Sequence, residues 1–384
     1  MKSACPFLPR EDRSGKAGWR AVAFALFSIM ALLAPGRAAS ASVPQGVFSL
    51  SPAGVACKAS ILTNLNVDGV SIRQDWSDLE PTEGVYDWSF LDSEVARVAA
   101  AGKSVLLRIN TQFAKPEWVT AAVTKAGGSF FTWDKDGVPT TIPVFWDPTF
   151  LAKKKAMIAA LGAHFTVNPS IKIVWTSFAN ANSEDWSVPH TPADIAAWQA
   201  VGYTTEKLLD AGRQIIDASM SAFPNQYVTL AVAGNGNLDP DVNYAARNAV
   251  LAARATWPGR LIVQKNSLAT YNPPAPGTGT VFQLLWDSRP DIGGQMLDAC
   301  FGDTTYRNNA GVADDPGVIL HKSVNLGASY GMKYIEIYQL DVLNLPVEIT
   351  YAHNVLLGLA PPTATPPPPA APPTAPTGLR VQEP

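Results

Sequence analysis

Short apolar segments alternate with amphipathic segments along residues 42–360. The short segments predict β-strands at residues 46–50, 67–75, 103–110, 171–180, 227–233, 260–267, 280–287 and 333–340. Apolar residues at helical spacing predict helices around residues 90–98, 151–165, 196–220 and 347–359. Strands that alternate with helices form parallel βαβ units, so the pattern predicts an α/β fold, closed as a (β/α)8 TIM barrel. An open doubly wound sheet is the alternative, but residues 234–237 (Gly-Asn-Gly-Asn) are a weak signal for a phosphate loop.

Polar residues recur on one face of several predicted strands. If Val105, Leu107 and Ile109 face the helices, strand alternation turns Arg108 and Asn110 into the barrel. The same alternation adds an inward set: Ser71, Arg73, Asp75, Gln264, Asn266, Gln283, Asp287, Tyr334, Glu336 and Tyr338. Polar groups inside a barrel cost free energy unless they are paired, and such barrels keep their active sites at the carboxyl ends of the strands. We therefore predict a functional site there, although a purely structural pairing of Arg73 or Arg108 with Asp75 is an alternative.

Residues 1–41 have the order of a secretory signal peptide. Five basic residues precede an apolar run at 21–34, and Ala39-Ser40-Ala41 supplies small residues for cleavage. An uncleaved membrane anchor is the alternative, but fourteen apolar residues are short for a hydrocarbon core of about 30 Å. We therefore expect a secreted or cell-envelope protein that starts near Ser42 and has no stable membrane insertion.

The composition narrows the classes of partner. The chain is 47% hydrophobic and 16% charged, which is enough apolar material for a large core. Its formal charge is −3, and removal of the six basic and two acidic residues of the leader gives −7. A mildly acidic protein is poorly suited to bind phosphate backbones, so we expect no nucleic-acid partner. The oligomeric state is open.

The C-terminal residues 361–384 begin with a segment that is mostly Pro, Ala and Thr. This composition favours extended polyproline II and predicts a spacer. Residues 375–381 resemble the first strand of a fibronectin type III module, and a simple disordered tail is the alternative. The predicted domains are therefore a signal peptide (1–41), a barrel (42–360) and a Pro-rich tail (361–384).

Cysteines and histidines give little support to metal or thiol chemistry. Loss of Cys5 with the leader leaves Cys57 and Cys300, which could form a disulfide or stay as two buried thiols. His164, His190, His321 and His353 are isolated, and the sequence contains neither an H-E-x-x-H nor a G-x-S-x-G motif. Asp314 and Asp315 could bind a structural cation, but a solvated loop accounts for them as well. We predict no metal and no cofactor.

The segment 69–92 carries the most specific motif. An arginine on the strand (Arg73) is followed by W-x-x-x-E-P-x-x-G-x-Y-x-W from Trp76 to Trp88, and then by Leu91-Asp92 on a helix. This pattern resembles the second strand and following loop of clan A glycoside hydrolases, especially bacterial beta-galactosidase-like and endoglycanase-like members. Residues 103–109 and 143–151 resemble the same group. The resemblance implies a (β/α)8 barrel that hydrolyses glycosidic bonds with an acid/base after strand four and a nucleophile after strand seven.

The resemblance assigns the carboxylates only in part. Glu184 follows strand four and is the acid/base candidate, although Asn182-Ser183-Glu184 departs from the tighter Asn-Glu pair of many members. Gln283 occupies the nucleophile's place on predicted strand seven, and an amide cannot form a glycosyl ester. Glu336 on predicted strand eight is the preferred second carboxyl, and Asp287 is the reserve. One carboxyl must hold a proton while the other is ionised, at about 5 Å for retention or about 6.5–9.5 Å for inversion.

Amides, arginines and aromatic rings would complete a sugar site, because flat rings stack on pyranosides and polar side chains bond to their hydroxyls. The predicted substrate-binding residues are Arg73, Arg108, Asn110, Asn180, Asn266, Gln283, Tyr338, Trp186, Trp286 and Trp146, and a purely structural place in the core is the alternative for Trp88, Trp175 and Trp198. We therefore predict an exported glycoside hydrolase that acts on a carbohydrate substrate. A non-catalytic carbohydrate-binding barrel that has lost its nucleophile is the alternative, and an adhesin is a third option.

Overall fold

The computed structural model describes residues 42–135, 138–177, 192–232, 241–361 and 363. Eight parallel strands close into a barrel in the order β1-β2-β3-β6-β7-β8-β9-β10, and β10 pairs with β1. These strands are β1 (Gly46–Leu50), β2 (Gly69–Asp75), β3 (Ser104–Asn110), β6 (Ile171–Ser177), β7 (Tyr227–Ala231), β8 (Leu261–Leu268), β9 (Ile292–Met296) and β10 (Tyr334–Tyr338). The predicted (β/α)8 barrel is confirmed. An antiparallel hairpin, β4 (Phe130–Lys135) and β5 (Val138–Pro143), follows β3 and was not predicted.

Helices surround the barrel. They are α1 (Ala59–Leu62), α2 (Trp76–Leu79), α3 (Ser89–Ala100), α4 (Glu117–Lys125), α5 (Pro148–Phe165), α6 (Pro192–Ala200), α7 (Thr205–Ala222), α8 (Asp241–Thr256), α9 (Val281–Asp287), α10 (Pro316–Tyr330), α11 (Gln339–Asn344) and α12 (Pro346–Leu356), with a 3-10 turn at Arg307–Asn309. The single helix predicted at 196–220 is divided into α6 and α7. Gly202 between them has a φ of 85°, and the Thr204 hydroxyl caps α7 by accepting a hydrogen bond from the Lys207 amide at 3.2 Å.

The apolar residues form two layers of core. Val105 and Leu107 of β3 belong to the layer between the sheet and the helices, whereas Leu106 lies inside the barrel. The inner layer also contains Phe48, Ile173, Trp175, Ile262 and Tyr334. Gly69 makes room for this layer, because a Cβ there would lie 2.3 Å from the Phe48 ring. The predicted alternation along β3 is therefore correct.

The predicted seventh strand is wrong. Residues 281–287 form α9, and the Thr280 hydroxyl accepts a hydrogen bond from the Phe282 amide at its start. The true seventh strand is β9, whose two glycines give it little strand signal. Both glycines are required by packing, since a Cβ at Gly293 would lie 2.5 Å from the Tyr334 ring, and one at Gly294 would lie 2.6 Å from the Met332 sulfur.

The structure answers the question of a disulfide, but it describes little of the two chain termini. Cys57 and Cys300 are free and buried, so the open question of a disulfide is decided in favour of two thiols. No helix among the described residues is long and apolar enough to cross a membrane. The predicted signal peptide and nearly all of the Pro-rich tail lie outside the described residues.

The motif after strand two is a structural brace built around Glu80. The buried Glu80 carboxylate accepts hydrogen bonds from the Trp76 indole and the Gly84 amide, both at 2.7 Å. The Trp118 indole donates to the Glu80 carbonyl at 2.9 Å. Burial and the Glu80 charge raise the pKa of the Tyr86 hydroxyl. The residues of the motif therefore fix the loop that follows β2.

We expect Glu80→Ala to lower the free energy of unfolding by about 1–3 kcal/mol, because it leaves the buried Trp76 indole N–H without its acceptor and removes the bond to the Gly84 amide. Urea denaturation measures the loss. Glu83→Ala is the matched control: Glu83 is exposed and pairs with Lys153 at the surface, so the loss of stability should stay within about 1 kcal/mol. Equal losses in the two variants would contradict the role of Glu80 as a brace.

Candidate active site

Glu336 lies at the centre of the polar cluster inside the barrel. It is on β10 and its exposed fraction is 0%. The Ser71 hydroxyl on β2 donates a hydrogen bond to one carboxylate oxygen, and the Gln264 amide on β8 donates to the other. Burial raises the pKa of the Glu336 carboxyl, and this effect is opposed by the charges of Arg108 and Arg73 and by the two hydrogen bonds. The two donors favour the ionised carboxylate as their acceptor.

Two hydroxyl groups, those of Tyr334 and Thr229, fix the Gln264 side chain next to the Glu336 carboxylate. The Tyr334 hydroxyl donates to the Gln264 carbonyl oxygen, and the Thr229 hydroxyl lies 3.2 Å from the Tyr334 oxygen. Burial and the Glu336 charge raise the pKa of Tyr334 well above its ordinary value, so it remains a donor. Because the Gln264 oxygen is held by Tyr334, its NH2 group must point to Glu336. The same NH2 group donates to Asn266 at 3.0 Å.

Arg108 connects the cluster to the seventh strand. Its guanidinium lies over the Trp175 ring, 4.0 Å from the centroid, and donates to the Gln295 carbonyl oxygen at 3.2 Å. Gln295 is the residue of β9 that pairs with Glu336. Paired residues of neighbouring strands point to the same face about 4.8 Å apart, so an amide stands beside Glu336 on strand seven. The described part of that strand contains no carboxylate.

The carboxyl ends of strands two and three form part of the barrel mouth. Asp75 and Asn110 end these strands in register, and the Asn110 amide donates to Asp75 at 2.8 Å. The Asn110 carbonyl oxygen is buried and has no partner among the described residues. Arg73, on the same face of β2, donates to the Ser51 carbonyl at 2.7 Å. An unsatisfied buried acceptor at a barrel mouth is suited to bind a hydroxyl group.

The structure brings part of the predicted site together. Arg73, Arg108, Asn110, Asn266 and Glu336 belong to the lumen or its mouth through the contacts described above. Tyr338 ends β10, and its hydroxyl donates to the Leu297 carbonyl after strand seven at 3.3 Å. Glu184, Asn180 and Trp186 lie outside the described residues, so their roles stay predictions.

Gln283, Asp287 and Trp286 are placed wrongly by the sequence analysis, because they belong to α9 on the outside of the barrel. Gln283 donates to Asp287 one helical turn away at 2.9 Å, and Asp287 faces Arg247 at 3.9 Å. Trp286 packs against Tyr330 and Arg289 near the entry to β9, at the amino end of that strand. None of the three reaches the lumen, so Asp287 is not a reserve second carboxyl, and Gln283 does not occupy the nucleophile's place.

Trp146 is half-buried in the connection between β5 and α5. Its ring packs edge-to-face on Trp198 at 5.1 Å and lies 6.0 Å from the Tyr203 ring. These contacts hold Trp146 within an aromatic cluster, and its role as a sugar platform stays a prediction. Sequence reasoning missed Gln295 and offered only a core position, as an alternative, for Trp175, which lies in the inner layer of the barrel. The inward direction of Arg108 on β3 does not predict the direction of Trp175 on β6, because a β-bulge shifts the register between these two strands.

Asp341 secures the loop after strand seven. Its buried carboxylate accepts hydrogen bonds from the Cys300 amide at 2.9 Å and the Phe301 amide at 2.7 Å. Burial raises the pKa of Asp341 to about 6, against the lowering effect of these bonds. Asn308 joins the same loop to the preceding one through Asp298 and Thr270. Among the described residues no group of three or more acidic, Cys or His side chains is placed to hold a metal ion.

Part of this barrel is similar in sequence to a known family. A family model described as Beta-galactosidase (Glyco_hydro_42) matches residues 53–183, about a third of the chain. This match covers strands two to four, including the Glu80 brace, Arg73 and Arg108. No curated protein sequence matches significantly.

Solved structures share the barrel. The beta-galactosidase from Rahnella sp. R3 has a TM-score of 0.53 at 13% identity, over 84% of this chain and 57% of its own. The catalytic domain of beta-amylase from Paenibacillus polymyxa has a TM-score of 0.51 at 11% identity, over 82% of this chain and 98% of its own. At such identities the similarity shows the fold. The family match and the fold together support glycan hydrolysis as the class of activity.

The Asp341 carboxyl makes stability depend on pH. Because its folded-state pKa of about 6 lies above the ordinary 3.8, its contribution is full below pH 3.8 and is lost as the pH rises through 6. Asp341→Asn removes this dependence and keeps an oxygen for both amides. We expect the stability of the wild type relative to this variant to fall by about 3 kcal/mol from about pH 3.5 to 7.5.

Thermal or urea unfolding across this pH range measures the difference. Asp314→Asn is the control, because a hydrogen bond from Lys322 lowers the pKa of Asp314 and the difference should change in the opposite direction. A difference for Asp341→Asn that is flat, or that rises with pH, would show that the buried carboxyl is not the cause.

Proposed function

We propose that this protein is a secreted glycoside hydrolase that cleaves O-glycosidic bonds of an extracellular glycan with the carboxylate pair Glu184 and Glu336. The observation that best supports this proposal is the buried Glu336 carboxylate, which is held by Ser71 and Gln264 within a glycosidase-type barrel. The match of residues 53–183 to a glycosidase family supports the class of reaction. The leader at 1–41 supports export.

The two carboxyls would have different tasks. Glu184, in the segment after strand four, would protonate the leaving oxygen. Glu336 would act ionised, either on the sugar or on a water molecule, because Ser71 and Gln264 both donate to it and Arg108 and Arg73 favour its negative charge. Since burial raises the pKa of Glu336, the acid side of the pH–rate profile should lie above the range of an exposed glutamate.

Sugar binding would take place at the mouth above this carboxylate. The buried Asn110 oxygen offers an acceptor for a hydroxyl, and the Trp175 indole N–H, also buried without a partner among the described residues, offers a donor. A sugar bound between them would lie on the carboxyl side of strands three and four. Asp75 would extend the set of acceptors through its bond to Asn110.

Glu336→Gln and Glu184→Gln test the pair. We expect each to lower kcat/KM at least about 100-fold, equivalent to about 2.7 kcal/mol, because an amide can neither attack nor transfer the proton. The measurement is release of reducing sugar from a panel of polysaccharides and aryl glycosides. Exposed Glu206→Gln on α7 is the control and should keep wild-type activity. Wild-type hydrolysis that survives Glu336→Gln would exclude Glu336 as the second carboxyl.

Gln295 favours a second candidate function, a non-catalytic carbohydrate-binding barrel. It places an amide at the lumen position of strand seven, where the resemblance implies the nucleophile. In such a barrel, glycan affinity would survive both substitutions and no variant would turn over.

Gln295→Glu distinguishes the two functions. If Glu336 is catalytic, a new carboxylate beside it should raise its pKa, shift the acid side of the pH–rate profile upwards and lower kcat/KM about tenfold at pH 6. If the barrel has lost its nucleophile, the inactive wild type should acquire hydrolysis in this variant. Gln295→Met is the control for loss of the Arg108 bond without added charge.

A further inference from the structure

The Pro-, Ala- and Thr-rich segment is anchored to the outside of the barrel at Thr363. The Thr363 carbonyl accepts hydrogen bonds from the His321 ring at 3.0 Å and the Asn325 amide at 2.5 Å. Its N–H donates to the Tyr351 hydroxyl at 2.8 Å. We call the four side chains that form this site, His321, Asn325, Glu348 and Tyr351, the α10–α12 clamp.

The clamp recognises main chain rather than a particular side chain. Both polar groups of the Thr363 backbone are bonded, while its hydroxyl lies only at 3.4 Å from the His321 ring. Pro361 and Pro362 have no N–H, so Thr363 is the first residue after Ala360 that can both donate and accept. The site therefore binds the first residue of this proline-rich segment that offers a complete peptide group.

The His321 ring is rigidly positioned in this site. It has an exposed fraction of 0%, its Nδ1 lies 2.9 Å from the Glu348 carboxylate, and the Tyr351 ring stacks on it at 3.9 Å. One ring nitrogen therefore faces a carboxylate oxygen, and the other faces a carbonyl oxygen. Each contact needs a proton between the two atoms.

The number of protons held by the His321–Glu348 pair makes this site sensitive to pH. A protonated ring beside ionised Glu348 satisfies both contacts, and so does a neutral ring beside protonated Glu348; both states hold the same number of protons. When the pair loses one proton, a nitrogen lone pair faces either the carboxylate or the Thr363 carbonyl. The first arrangement is repulsive, and in the second the Nε2 lone pair faces the Thr363 carbonyl with only the Thr363 hydroxyl, at 3.4 Å, as a donor, so the hold on Thr363 weakens as pH rises.

Several neighbouring groups act on the His321–Glu348 pair. Burial raises the pKa of Glu348, a hydrogen bond from His321 opposes this, and Asp315 at the start of α10 adds to the rise. Lys322 on α10 is paired with Asp314. Tyr351 and Asn325 bond to each other beside the ring. Asp315, Tyr351 and Lys322 are thus the other titratable groups around the pair.

We propose that the α10–α12 clamp binds the main chain of the Pro-rich segment and releases it when the His321–Glu348 pair loses its proton. Release detaches Thr363 from α10 and α12. The α12 end stays in place, because Gly358 and Leu359 bond to Val355 and Asn354 within the helix cap.

A nitroxide spin label at Thr365→Cys in the full-length chain reports the state of the clamp. Cys5→Ser is included in every variant, and buried Cys57 and Cys300 are shielded from the label, so position 365 alone reacts. We expect the immobilised fraction in the electron paramagnetic resonance spectrum to fall about threefold or more from about pH 5.5 to 8.5, because the repulsion at the Thr363 carbonyl then weakens the clamp. A label at Val167→Cys, on a 79% exposed residue of another loop, should not change.

Two substitutions distinguish the loss of the proton from the loss of a hydrogen bond to Thr363. In Glu348→Gln the amide can donate to Nδ1 of a neutral ring, which leaves Nε2–H for Thr363, so the label should stay immobilised at both pH values. Asn325→Ala should lower the immobilised fraction at both pH values, because half-buried Asn325 supplies the second donor to Thr363. Equal spectra of the parent at the two pH values, or an unchanged pH response in Glu348→Gln, would overturn the proposal.

Discussion

Burial of the Glu336 charge is the constraint on which the rest of the lumen depends. An ionised carboxylate removed from water costs several kcal/mol unless charge and hydrogen bonds replace its hydration. Ser71 and Gln264 supply the bonds, and Arg108 and Arg73 supply the charge. The arginines are themselves buried and need partners, which explains the Trp175 ring and the Gln295 oxygen at Arg108. The polar residues around Glu336 are therefore held by one another as well as by the carboxylate.

This cluster can exist only because the barrel beneath it is closed by apolar packing. Phe48, Leu106 and Ile173 fill the inner layer and exclude water from below. Gly69 admits the Phe48 ring, and Gly293 admits the Tyr334 ring, since a Cβ at either would overlap the ring that lies there. Tyr334 joins the two layers: its ring packs in the apolar one while its hydroxyl orients Gln264. Gly293 thus makes room for the Tyr334 ring, whose hydroxyl orients Gln264 on the neighbouring strand β8.

The sequence predicted the features that are set locally. Alternation along β3 placed Arg108 and Asn110 inside, and the helical periods located α3 and α5, because single-element patterns determine these features. The seventh strand failed because Gly293 and Gly294 are chosen by contacts with Tyr334 and Met332, which are remote in sequence. The apolar run of α9 imitated a buried strand, and a run of that length is ambiguous from periodicity alone. The sequence therefore gave no sign of Gln295, and Gln283 was predicted at the strand-seven position that Gln295 occupies.

Charge balance gives a physical reason for an amide at position 295. The charged side chains that the described strands place at the lumen and its mouth are Arg73 and Arg108 against Asp75 and Glu336, which is two of each sign. A further carboxylate about 5 Å from Glu336 would repel it by about 3 kcal/mol at an effective dielectric constant of 20. Such a repulsion would favour protonation of one of the two, whereas a neutral amide holds Arg108 and leaves Glu336 ionised. The strand-seven glutamine thus preserves a single negative charge at the bottom of the site, and a partner carboxyl that must keep its proton has to come from a more distant loop.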